Sequence, residues 1–192
     1  MATSHPVCVV WNGEWVVAQY GHSDGLDFAA NDVAKIIHFI SLPAKIERHK
    51  AGLRNNVYYK PITAEYTIDE IKCDACLHEQ TSGEVLDVIA GADTAVTTPA
   101  GVTTSVALEL DMEFALDSSR CKCIFVVDLD KQVLEIFGGP NYENKRASHR
   151  FLNVGEQEDK VPRLQCSFSL SYIAENPVQS VLAVQTIVSF VE

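Results

Sequence analysis

Between Val7 and Ala18 nearly every position is apolar, and the main break is Asn12-Gly13. Asn-Gly between two β-rich runs suits a two-residue type I′ turn, in which both central residues take positive φ. That turn predicts a hairpin pairing Trp11 with Glu14, Val9 with Val16 and Val7 with Ala18 on one face. Val10 then lies opposite Trp15, and Cys8 opposite Val17, on the other. Side chains alternate across a strand, so an exposed hairpin would show one polar face. This one is apolar on both, which places it at the centre of a mixed or antiparallel sheet covered on each side. The period then lengthens: Val33, Ile36, Ile37 and Ile40 fall at i, i+3, i+4 and i+7, one stripe of a helix. Asn31 is its expected N-cap, and Leu42-Pro43 stops it, because the residue before proline avoids the α region. His38 projects from the opposite side, towards solvent.

Further along, Pro43 opens a second short helix, Ala44 to Leu53. Val57 to Tyr66 reads as connection, interrupted by Pro61. Thr67-x-x-Glu70 and Thr81-x-x-Glu84 are capping boxes. The first precedes Ile68, Ile71 and Ala75; the second precedes Val85, Leu86, Val88 and Ile89, with Gly91 closing the helix. Residues 94–105, rich in Thr and Gly with Pro99, form the expected mobile loop. Ser105 to Leu116 then reads as helix from the spacing of Val106, Leu110 and Phe114.

Cys123 to Phe137 predicts a second hairpin turning at Asp130-Lys131, or through a longer loop, since it lacks glycine there. Phe125, Val127, Leu129, Leu134 and Ile136 share one face, with Asp128 and Glu135 on the other, the alternation of a sheet covered on one side. Asn141 to Lys160 is polar loop, anchored by Phe151-Leu152, and Cys166 to Ile173 alternates like a strand. Asn176-Pro177 starts a final helix carrying Val178, Val181, Leu182 and Val188, although its β-branched residues also suit a terminal strand. The expected fold is one α+β domain over residues 1–192. Its antiparallel or mixed sheet is built from the two hairpins and the strand near Phe168, covered by several short helices.

Candidate chemistry lies between the first hairpin and its helix, in Tyr20-Gly21-His22-Ser23-Asp24-Gly25-Leu26-Asp27. A loop on a rigid scaffold is where sites usually sit. His22 can act as general base, with Asp24 fixing its tautomer and Tyr20 as a hydrogen-bond donor, or the group can hold a divalent metal. Turn chemistry alone accounts for the same residues: Asp24-Gly25 as the turn, Asp27 ahead of the helix, His22 in water.

Tyr20-Gly21-His22-Ser23-Asp24-Gly25 before an apolar helix resembles a set of small fungal, archaeal and phage proteins of unknown function. Their mark is a strand ending in Tyr, a loop His/Gln-Trp-Asp-Gly-Tyr-Pro, and a helix. Here Ser23, Leu26 and Asp27 stand where that pattern has Trp, Tyr and Pro. FALDSSRCKCIFVVDLDKQVLEIFGG resembles a second stretch of the fungal members: Phe-Ala-x-Asp-Ser, Cys, an apolar strand, Asp-Leu-Asp and Leu-Glu-x-Tyr/Phe. The resemblance covers about a third of the chain. It implies that the loop matters and supplies no reaction.

The net charge of −11, from 26 acidic and 15 basic residues, disfavours nucleic acid and anionic membranes as partners. Basic clusters at Lys45, Arg48, His49, Lys50 and Arg54, and at Lys145, Arg146, His149 and Arg150, read as solvated surface. Met1 to His5 lacks the features of a signal peptide, and no apolar run spans a bilayer. The expectation is a cytoplasmic protein with six reduced cysteines. Cys73, Cys76 and His78 with Cys121 and Cys123 could supply zinc ligands. Against that, the chain supplies no second Cys-x-x-Cys, and Cys73 and Cys76 lie off their helix's apolar stripe. Cys8 does not fit an N-terminal nucleophile, being internal. No phosphate loop, nucleophile elbow or dinucleotide fingerprint is present. No metal or cofactor is therefore assigned, and oligomeric state is not legible. Two classes remain: an enzyme acting on a small polar metabolite through His22, Asp24 and Tyr20, or a non-catalytic protein using the same loop as a recognition surface.

Overall fold

The computed structural model describes residues 5–19, 28–55, 57–59, 84–91, 106–108, 112, 123–138, 150–151 and 161–191. Its strands are β1 (Val7–Trp11), β2 (Glu14–Gln19), β3 (Val57–Tyr59), β4 (Val106–Leu108), β5 (Cys123–Asp128), β6 (Val133–Gly138) and β7 (Arg163–Ser169). Its helices are α1 (Phe28–Ile40), α2 (Pro43–Asn55), α3 (Glu84–Gly91), α4 (Leu170–Glu175) and α5 (Pro177–Val191). The architecture is α+β. A five-stranded mixed sheet runs β2-β1-β5-β6-β7, parallel between β1 and β5 and antiparallel elsewhere. A separate two-stranded parallel sheet joins β3 and β4.

The first hairpin turns as its dipeptide requires: Asn12 has φ 55° and Gly13 φ 78°. Its register differs beyond the turn. Val10 pairs with Trp15 but Val9 pairs with Val17, so Val16 is the extra residue of a bulge. The hairpin also lies at one end of the sheet, and β5 occupies the centre. Both of its faces are nonetheless covered, as expected from its composition. Val7, Val9 and Val17 join the helix-side core, while Cys8, Val10 and Ala18 join a second core on the other face.

The second hairpin keeps the expected register, Phe125 opposite Ile136 and Asp128 opposite Val133, around a loop over residues 129–132. Phe125, Val127, Leu129, Leu134 and Ile136 do share the helix-side core. Coverage on one side only is corrected: Ile124, Val126 and Phe137 are fully buried on the opposite face beneath Phe151 and Val161. Two further readings change. Val57–Tyr59, expected as connection, and Val106–Leu108, expected as helix, pair as strands, each supplying the other's hydrogen bonds. Three-residue apolar runs are ambiguous by periodicity, and the partner decides. The strand at Cys166 stops at Ser169, whose side chain accepts from the Tyr172 backbone N–H at 3.2 Å and caps α4.

The last segment is helical: the Asn176 carbonyl accepts from the Ser180 N–H at 3.0 Å, and Pro177 occupies the first turn, where its missing N–H costs nothing. Helix α1 starts at Phe28, ahead of Asn31, because Ala29 and Ala30 extend it favourably. His38 is exposed, as expected. The loop over 94–105 and the helix after Thr67 fall outside the described residues.

Of the first basic cluster, His49 is not solvated. Its imidazole is 1% exposed, packed edge-on to Phe39 at 5.5 Å, with Nδ1 3.0 Å from the Leu86 carbonyl oxygen. Burial pushes its pKa from 6.5 down to about 4, against the opposing pull of that carbonyl and of Asp87. The unfolded chain therefore takes up this proton at higher pH than the folded one. The stability involved is complete above about pH 6.5 and is lost as pH falls towards 4. From pH 6.5 to pH 5 the loss is about 2 kcal/mol. Urea unfolding across that range should show the slope, and His49→Leu should remove it.

Candidate functional site

Tyr20, His22 and Asp24 lie outside the described residues; what the structure defines is the frame on either side of them. β2 delivers the chain to this loop with Gln19 registered opposite Val7. α1 receives it, anchored by Val33, Ile36 and Ile37, each 1% exposed. The same end of the sheet holds the start of β5 at Cys123, the end of β6 at Gly138 and the start of β7 at Arg163. His5 is buried there at 1% exposure, just ahead of Pro6, whose carbonyl accepts from the Phe125 N–H at 3.0 Å. Sequence reasoning passed over His5, since a histidine close to the first residue and before a proline carries no pattern of its own.

The other end of the sheet holds a charged cluster. Asp128 ends β5 at 1% exposure, and its Oδ1 accepts from the backbone N–H groups of Asp130 at 3.0 Å and Lys131 at 2.8 Å. Its Oδ2 accepts from Arg150 Nη2 at 2.6 Å, while Arg150 Nε donates to Glu135 at 2.5 Å. Burial raises the Asp128 pKa, but the Lys131 N–H and the Arg150 guanidinium outweigh it and hold the carboxyl below its usual range. Arg150 lies 5.9 Å from the Trp15 ring, which packs 5.3 Å from Phe151. Arg150, expected as solvated surface, is thus a half-buried clamp, and Phe151 is the expected anchor. Beside it the Asp130 carboxylate accepts from the Asn12 and Gly13 N–H groups at 2.9 and 2.8 Å, tying the two hairpin turns together. These carboxylates already have partners, which suits holding a segment in place rather than transferring protons.

A groove of about 250 Å³ opens at this second end, lined by Ile40, Ile46, Leu170 and Ala174 with Glu47, Gln132 and Ser171 at its rim. Glu47 is paired with Lys50 at 2.9 Å, and Gln132 Nε2 donates to the Leu129 carbonyl at 2.5 Å. The groove offers apolar contact and little chemistry.

Among the described residues no cluster of three or more His, Cys, Asp or Glu is placed to hold a metal. Cys73, Cys76, His78 and Cys121 lie outside them, and Cys123 is buried in the helix-side core. Burial pushes the Cys8 thiol up to about 12, so it stays protonated at neutral pH and is no nucleophile. No family model matches this chain, and no curated protein or solved structure matches it either. The second resembling stretch does acquire a physical role: its Asp128, Asp130 and Glu135 are the acids that cap the β5–β6 turn, tie it to the first turn and hold Arg150.

Proposed function

We propose that the protein is an enzyme acting on a small polar metabolite in the cytoplasm, through the loop between β2 and α1. His22 serves as general base, Asp24 orients its imidazole and Tyr20 donates a hydrogen bond to substrate. The observation that supports this reading is the rigidity of the loop's two ends. β2 is locked by its ladder to β1, with Val17 fully buried, and α1 is locked by a fully apolar stripe. A site needs such support to hold a base in a productive geometry.

Screening metabolites by thermal shift identifies a ligand, since binding to the folded state raises Tm. His22→Ala is then expected to lower kcat/KM by about 100-fold or more at unchanged Tm. Turnover that survives the substitution sinks the catalytic assignment. The second reading is a non-catalytic protein that uses the same loop as a recognition surface. Under that reading His22→Ala weakens partner binding and leaves any turnover untouched.

A further inference from the structure

Asn12 and Gly13 make the first turn, and the same two residues are a reactive pair. The Gly13 backbone nitrogen and the Asn12 side-chain Cγ lie the right number of bonds apart to close a five-membered ring. Glycine, having no Cβ, leaves that nitrogen unhindered. Both residues are exposed, and a Cβ built on Gly13 would meet nothing within 4 Å, so water and solvent base reach the turn. In ring closure the Gly13 N–H gives its proton to solvent base and the nitrogen bonds to Asn12 Cγ. The Cγ–Nδ2 bond breaks and ammonia leaves. Water then opens the succinimide at either carbonyl, giving aspartate or isoaspartate at position 12. No oxidant or reductant takes part.

Tertiary structure sets a guard on the nucleophile. The Gly13 N–H donates to Asp130 Oδ2 at 2.8 Å, and the Asn12 N–H donates to Asp130 Oδ1 at 2.9 Å. The nitrogen attacks as its anion, and a carboxylate beside it opposes that charge. The bond also aims the N–H at a residue 117 positions away instead of letting the nitrogen turn onto Cγ. Asp130 is itself held: its N–H donates to buried Asp128 at 3.0 Å, and the Leu129 N–H donates to the Val10 carbonyl at 2.9 Å. We propose that Asn12 is a deamidation site that the Asp130 carboxylate holds closed in the folded protein. Once it reacts, the tie does not re-form. Aspartate at position 12 adds a further negative charge to the net −11, close to Asp130. Isoaspartate lengthens the main chain by one carbon, which a two-residue turn with φ 55° and 78° cannot absorb. Either product loosens the first hairpin turn from the second, a slow and one-way release. This inference is independent of the 20–27 loop.

The test holds the full chain in mildly alkaline buffer and follows the peptide containing Asn12 by mass spectrometry, scoring the one-dalton gain and the isoaspartate share. The folded wild type should convert at least about tenfold more slowly than the same chain unfolded in urea. Asp130→Ala, which removes both bonds, should convert about tenfold faster than folded wild type. Asp130→Asn, which keeps an acceptor without its charge, should fall between the two and carries the test if the alanine variant does not fold. Val184→Ala, which hollows the core beneath α5 and touches neither turn, should match wild type. An unfolded chain that leaves Asn12 intact, or a folded wild type that converts as fast as the unfolded chain, overturns the proposal. So do folded Asp130 variants as slow as wild type. A Val184→Ala rate as high as that of the Asp130 variants overturns it too, because the protection would then come from global stability.

Discussion

Asp128→Ala is expected to destabilise the protein by about 4 kcal/mol, read as a fall in the urea midpoint at unchanged slope. The carboxylate performs two tasks at once from a site that is 1% exposed. It satisfies the N–H groups of Asp130 and Lys131, and it neutralises Arg150, whose side chain is only 12% exposed. Alanine orphans both donors and takes from the guanidinium its Asp128 partner. The Lys131 ammonium, 4.0 Å away and 68% exposed, contributes little by comparison. Asp128→Asn keeps an oxygen for the turn and loses only the charge, so it should cost about 2 kcal/mol. Equal losses for the two variants would mean that Arg150, and not the turn, carries the whole effect. Because the folded carboxyl sits below its usual value of 3.8, its contribution is complete above that pH and is lost as acid carries the solution below it.

Gly52→Val should cost more than about 3 kcal/mol. Gly52 lies in α2 where that helix crosses α3, and a Cβ built on it would stand 2.0 Å from the Ile89 carbonyl oxygen. The obstacle is backbone, which cannot rotate aside, so the two helices must separate. His49 and Leu86 lie in the same contact, and opening it would let water reach the imidazole. On an exposed helix, replacing glycine by alanine gains about 1 kcal/mol. Here Gly52→Ala should instead destabilise, and a rise in Tm for that variant would show that α2 and α3 slide without cost. The ion pair between Lys45 and Asp87, exposed and 2.7 Å long, spans the same helices but cannot compensate.

Legibility divides along the length scale of the signal. Asn12-Gly13 announced its turn because positive φ is a local property of those two residues. The helices at 43–55 and 84–91 were equally local, read from Pro43 and from the apolar positions 85, 86, 88 and 89, whereas the segment at 177–191 suited a strand as well until its packing made it helix. The bulge at Val16 was not, since it concerns how many residues of β2 oppose β1. Asp128 and Glu135 on one strand face read as solvent contact, because an acid neutralised by a distant arginine and one neutralised by water look alike in the chain. Likewise Val106 to Leu108 carried helical spacing until β3 supplied a parallel neighbour. The loop bearing Tyr20, His22 and Asp24 was legible as a candidate from its residue types, and the structure adds the rigid strand and helix that bracket it.

Local conformational preference and amphipathic period were enough to establish an α+β chain with two hairpins, its turn positions and most of its helices. Those are short-range quantities, written within a few residues. Tertiary structure alone decided that β5 is central, that the second hairpin is covered on both faces, and that His49 and Asp128 are buried, with Arg150 half-buried against Asp128. Burial and pairing depend on which distant segment arrives, and no window of the chain contains both partners.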